Sequence, residues 1–143
     1  MRPFVDTNVL LYLLSADSAK AECAERVLAG RVVLSVQVLN EFANVARRRQ
    51  RLSWAALGEA LAGIRHFASV RPLTLATHEN GLRLAERLRL SLYDATIAAA
   101  ALEAGCDTLL SEDFQPGQVF DGRLQVVNPF LPGRPDASHA PAR

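Results

Sequence analysis

Lysine is almost missing from this chain: Lys20 stands alone beside fifteen arginines. Phosphatases with an aspartate nucleophile and phosphoacceptor receiver domains both need a positioned lysine, and Lys20, near the start of an expected helix, serves neither. The phosphatases also resemble Asp-x-Asp at the end of the first strand, where this chain has Asp6-Thr7-Asn8. No Gly-Lys-Ser/Thr occurs, which removes a phosphate-cradling P-loop. Cysteine is sparse as well. Cys23 and Cys106 lie far apart without CxxC or Cys/His spacing, so neither a structural zinc site nor a disulfide framework is expected, and buried thiols in a reducing cytoplasm are the reading.

No apolar run approaches the roughly 18 residues of a membrane span. Asp6 interrupts the N-terminal apolar stretch where an export signal would still be greasy. The expectation is a soluble, unexported, cytoplasmic protein with no membrane partner and no organic cofactor. A formal net charge of +1 supplies no global positive field, so a nucleic-acid partner would have to be held by local patches or a bound metal. No internal repeat or heptad run appears.

What is present is a chain of 143 residues, 50% hydrophobic, enough to bury one core without staples. Short apolar runs at Phe4-Val5, Arg31 to Leu34, Thr108 to Leu110 and Leu124 to Val127 read as strands. Helical spacing fills the stretches between them, including Trp54, Leu57, Leu61, Ile64 and Ala68 in one run. Asp17, Ser35, Ser53, Thr77 and Ser91 stand where N-caps are needed, and Gly30 and Gly105 where helices should stop. This alternation implies an α/β three-layer sandwich, with a central parallel sheet of four to five short strands flanked by helices. One domain is expected over residues 1–131, and a disordered, proline-rich tail over 132–143.

Four carboxylates carry the chemistry. Asp6 directly follows the first strand and Asp113 lies just past the strand ending at Leu110, so both belong at the carboxyl edge of a parallel sheet, where ligands bind. A helix starting near Ser91 must run back antiparallel, which puts Asp94 at the same edge. Glu41 is six residues into the helix after Ser35, roughly 9 Å along its axis, within reach of a long side chain. Each has a plainer explanation taken alone. Ser91-Leu92-Tyr93-Asp94 matches a capping box, Asp6 could open a turn, and Glu41 could pair with an arginine.

Taken together the plain explanations fail, because two carboxylates about 4 Å apart repel by roughly 4 kcal/mol at an effective dielectric near 20. Such a cluster calls for a positive partner, and all-oxygen ligands favour Mg²⁺ or Mn²⁺ over zinc. His66, His78 and His139 occur singly and read as structural or solvent-facing.

Four segments in order, Phe4-Val5-Asp6-Thr7-Asn8-Val9-Leu10, Ser35-Val36-Gln37-Val38-Leu39-Asn40-Glu41-Phe42, Ser91-Leu92-Tyr93-Asp94-Ala95-Thr96-Ile97 and Leu110-Ser111-Glu112-Asp113-Phe114, resemble the PIN-domain ribonucleases, and in particular the VapC toxins. The resemblance covers nearly the whole chain up to the tail. It implies an acidic pocket for Mg²⁺ or Mn²⁺, endonucleolytic cleavage of RNA, homodimerisation and inhibition by a cognate antitoxin. Asp6, Glu41, Asp94 and Asp113 match the acidic catalytic and metal-binding positions, and Asn8 and Ser111 match polar positions beside them. Glu112 falls in a loop that varies among such proteins. Arg47, Arg48, Arg49 and Arg51 form the densest basic run, to be weighed as RNA contacts against a solvated helix end that complements the dipole. The alternatives are a housekeeping RNA-processing nuclease of this kind and a catalytically idle protein- or RNA-binding version of the fold.

Overall fold

A computed structural model describes residues 2–131. The expected disordered tail, with His139, lies outside the described residues. The element order is β1 (Phe4–Val5), α1 (Thr7–Leu11) running into a 3-10 turn (Tyr12–Leu14), α2 (Ser18–Ala29), β2 (Val32–Ser35), α3 (Val36–Arg48), α4 (Trp54–Phe67), β3 (Ala68–Arg71), α5 (Leu75–Leu88), α6 (Leu92–Glu103), β4 (Thr108–Leu110), β5 (Val119–Phe120) and β6 (Leu124–Val127).

The strands form one sheet in the order β3-β2-β1-β4-β6-β5, parallel except where β5 meets β6. The α/β sandwich around a parallel sheet is as expected, but the sheet has six strands rather than four to five. Two strands escaped the sequence reading for physical reasons. Ala68 continued the apolar spacing of α4, yet α4 ends at Phe67 and Ala68 opens an edge strand beside β2. β5 is two residues long, too short to show alternation, and exists because Asp121 and Gly122, with φ of 49° and 67°, turn the chain back onto β6.

β1 lies in the middle, paired with β2 on one side and β4 on the other. Its residues Phe4 and Val5 are fully buried, together with Leu34, Leu109, Leu110 and Val126 of neighbouring strands. Such strands, covered on both faces, read as unbroken apolar runs rather than alternations. Helix α6 is the extreme case, with every residue from Ala95 to Leu102 buried. Its small side chains let α5 approach closely: a Cβ added at Gly81 would stand 2.7 Å from the Thr96 hydroxyl.

Helix starts follow their caps. Asp17, Ser35, Ser53 and Ser91 each accept a backbone N–H of the first turn. The fifth expectation needs correcting, because Thr74 caps α5 and Thr77 is the reciprocal member of its capping box. Thr77 could serve there because its hydroxyl reaches back to the N–H of Thr74. Cys106 is a buried thiol, pushed up to about 11 mainly by burial, and the Cys23 thiol donates to the Pro129 carbonyl at 3.4 Å. Among the described residues no helix is long and apolar enough to cross a membrane.

Candidate active site

The carboxyl ends of β1, β2 and β4 open onto one edge of the sheet. Asp6 is the residue after β1, Ser35 the last of β2, and Ser111 the residue after β4. Asp6 also caps the short helix α1, its Oδ1 accepting the Thr7 N–H at 2.7 Å. Its other oxygen, Oδ2, accepts the Ser111 hydroxyl at 2.8 Å and the Asn8 amide at 3.3 Å. The Asn8 amide also donates to Ser111 Oγ at 3.2 Å, so three polar groups hold one carboxylate in place.

Asp6 is only 4% exposed and its carboxyl is pushed up to about 7. Burial is the main cause. The Ser111 and Thr7 hydrogen bonds oppose it, and the charges of Asp113 and Asp94 add to it. Asp94, half-buried in the first turn of α6, is also raised, by burial first and then by Asp113, with Glu41 contributing. These couplings bring all four expected carboxylates into one electrostatic neighbourhood. Among the described residues none of the four is ion-paired with an arginine, so that explanation for Glu41 is removed.

The capping explanation for Asp94 holds only in part. Ser91 Oγ accepts the Asp94 N–H at 3.1 Å, but the reciprocal bond to the Ser91 backbone is not made, which leaves the carboxylate for the cluster. Asp113 is exposed, and its N–H donates to Ser111 Oγ at 3.1 Å. Ser111 thus joins the two aspartates through one hydroxyl. Glu112 turns elsewhere: Tyr12 donates to its Oε1 at 2.6 Å, and its N–H donates to Asn8 Oδ1 at 3.3 Å.

Two residues of the site escaped the sequence reading. Thr7 donates its hydroxyl to Glu41 Oε1 at 2.6 Å, and Gln37 donates its amide to Glu41 Oε2 at 2.9 Å. Gln37 could have been found, since it precedes Glu41 by one helical turn and faces the same way. Thr7 is 34 residues from Glu41, and the pairing of β1 with β2 and the packing of α1 on α3 bring them together.

The donor set is all oxygen and its charge is uncompensated, which suits a hard divalent cation. As the side chains stand, however, no three His, Cys, Asp or Glu among the described residues are grouped closely enough to hold a metal ion. The expected meeting point is therefore a shared edge, with Glu41 turned to hydroxyl and amide donors.

The arginine run divides. Arg47 lies 4.0 Å over the Trp54 ring and donates to the Leu52 carbonyl at 2.7 Å, so it ties the end of α3 to the start of α4. Arg48, Arg49 and Arg51 are exposed at the helix end away from the carboxylates. His66 and His78 are both exposed; His78 lines a cavity that Glu41 also borders, but no metal-binding group of three forms there among the described residues.

The family description "PIN domain" matches residues 4–119. The chain belongs to the PIN-domain family. Solved structures agree with the match. VapC20 of Mycobacterium tuberculosis, described as a sarcin-ricin loop cleaving toxin, is 27% identical over 77% of this chain and 90% of that one, with a TM-score of 0.62. A toxin–antitoxin complex from Klebsiella pneumoniae contains a chain with a TM-score of 0.67 at 20% identity, covering 90% of this chain and 98% of that one. VapBC2 from Rickettsia felis, bound to a DNA fragment from its promoter, gives 0.64 at 15% identity, over 88% and 97%. These last two bear on the fold alone. Comparison with curated proteins finds no match. PIN domains of the VapC kind are nucleases, and the carboxylates of this PIN domain occupy the sheet edge where such chemistry is expected.

Proposed function

We propose that this PIN domain is a metal-dependent endoribonuclease that hydrolyses RNA phosphodiester bonds and acts as the toxin of a toxin–antitoxin pair. One observation carries the reading: Asp6, Glu41, Asp94 and Asp113 share one sheet edge, and among the described residues no arginine pairs with any of them. Buried acidic charge without a cation disfavours the fold unless function requires it.

Asp6, Asp94 and Asp113 would hold Mg²⁺ or Mn²⁺, with Glu41 at a further position. When bound, the ion supplies positive charge at the scissile phosphate and lowers the pKa of a water molecule. The protein's own part is orientation. Ser111 and Asn8 fix the Asp6 carboxylate, while Thr7 and Gln37 fix Glu41, which is suited to orient the attacking water and accept its proton. No protein nucleophile or covalent intermediate is required.

RNA as substrate is supported by the likeness to VapC20, and an antitoxin partner by the toxin–antitoxin complexes of similar fold. A homodimer in the cytoplasm completes the proposal. The test is labelled RNA incubated with the purified protein and Mg²⁺ or Mn²⁺, with EDTA, and with Asp6→Ala. Cutting should vanish in the last two, and cutting that survives both would overturn the mechanism. Growth arrest on expression, relieved by co-expressing the product of an adjacent small gene, would support the toxin role. Cleavage without arrest would favour RNA processing, and neither activity an idle fold.

A further inference from the structure

We propose that the cavity between α3 and the start of α6 is a base-binding subsite, which takes one unpaired nucleobase of the RNA next to the bond that is cut. The inference rests on the nuclease reading above and specifies how its substrate is gripped.

The cavity measures about 400 Å³, within the roughly 300–1,000 Å³ of pockets that hold small molecules. Glu41 forms part of its wall, so whatever enters lies beside the carboxylate edge. Gln37 links the two regions physically, since its amide donates both to Glu41 and, at 3.1 Å, to the Tyr93 carbonyl. Tyr93 immediately precedes Asp94, lines the cavity and is 71% exposed.

The lining chemistry selects the occupant. Asn40 and Asn44 come from α3, one helical turn apart, and His78 from α5, with Leu73 and Leu92 as apolar neighbours. Neither asparagine makes a side-chain hydrogen bond among the described residues. Both side chains are exposed, so their amide donors and acceptors are available to a ligand in the cavity. No lysine or arginine lines the cavity and Glu41 does, which disfavours a phosphate. An apolar partner surface would leave the two amides facing groups that cannot pair with them. A neutral, flat, edge-polar base satisfies both halves of the lining, stacking on the Tyr93 ring while Asn40 and Asn44 pair with its edge. Bases splay out this way only from single-stranded RNA, so cutting should fall in loops.

The experiment is cleavage of a random-sequence RNA pool by the full chain with Mn²⁺, followed by sequencing of the cut ends. Asn40→Ala or Asn44→Ala should flatten the base preference at one position beside the cut. Tyr93→Ala should lower kcat/KM roughly 10-fold and Tyr93→Phe should restore it. All three positions are exposed, so folding is not at stake. Unchanged preference in both asparagine variants with cutting retained would overturn the subsite. So would a fall in molecular mass by light scattering with preference unchanged, which would assign this face to a second copy. A single-stranded RNA carrying 5-iodouridine, irradiated with wild-type protein in EDTA, separates the two proposals. Cross-linking at Tyr93 in EDTA, with the same RNA left uncut when Mn²⁺ replaces the chelator, would sink the nuclease reading and leave the subsite standing. Cutting with cross-links only elsewhere would sink the subsite alone.

Discussion

Asp6 and Asp121 both follow a strand directly, and the fold treats them in opposite ways. Asp121, after β5, receives Arg87 at 2.6 Å and Arg83 at 3.8 Å, and these guanidinium groups hold its carboxyl below the usual range. Asp6, after β1, is buried among neutral donors and other carboxylates and is pushed up to about 7. With fifteen arginines in the chain, the lack of one at Asp6 is not a shortage of cations. Among the described residues, Arg83 and Arg87 of α5 pair with Asp121 and no arginine pairs with the carboxylates of the sheet edge. The sheet edge thus sacrifices stability for a negative pocket, as functional sites commonly do.

Asp6→Asn strikes most directly at the contrast between the two aspartates. Cleavage should disappear, while the metal-free protein should become more stable at pH 8. A shift from 3.8 to about 7 corresponds to at most about 4 kcal/mol by linkage. Urea denaturation in EDTA measures the gain, and a loss of stability would mean that the Asp6 charge is not a burden.

The pH profile gives the next test. Between about pH 4 and 7 the folded chain binds more protons than the unfolded one at Asp6, so metal-free stability should fall as pH rises across that window and level off above it. Asp94 has the same sign. Asp121, with its depressed pKa, has the opposite sign, losing its contribution as pH falls through the acid range. Thermal melts in EDTA should flatten between pH 4 and 7 in Asp6→Asn.

Ser111→Ala removes the hydroxyl shared by Asp6 and the Asp113 N–H. A 10- to 100-fold loss of metal affinity or activity is expected, about the scale for groups that orient metal ligands, and titration calorimetry with Mn²⁺ would read it. The smallest effect belongs to the other aspartate. Arg87→Ala should alter stability by no more than about 1 kcal/mol, as for exposed ion pairs, and leave cleavage unchanged. A large loss of cleavage there would erase the contrast between the two regions.

Much of this was legible along the chain because it depends on near neighbours. Strand ends at Val5 and Leu110, caps at Ser35 and Ser91, and the placing of Asp6, Asp94 and Asp113 at one edge follow from apolar runs and local hydrogen bonding. β3 was hidden because Ala68 fits helical and strand spacing equally well, and Thr77 because a threonine can be either member of a capping box.

Periodicity and caps act over a few residues, so the alternation of helices and strands, hence the sheet and the edge that gathers its carboxylates, is written in the order of the amino acids. What surrounds each carboxylate is set by the folded packing. Thr7 on Glu41, Ser111 on Asp6, both arginines on Asp121 and the cavity beside Tyr93 all join segments distant along the chain. A side chain's partner and its degree of burial are properties of packed neighbours, and no local pattern specifies them.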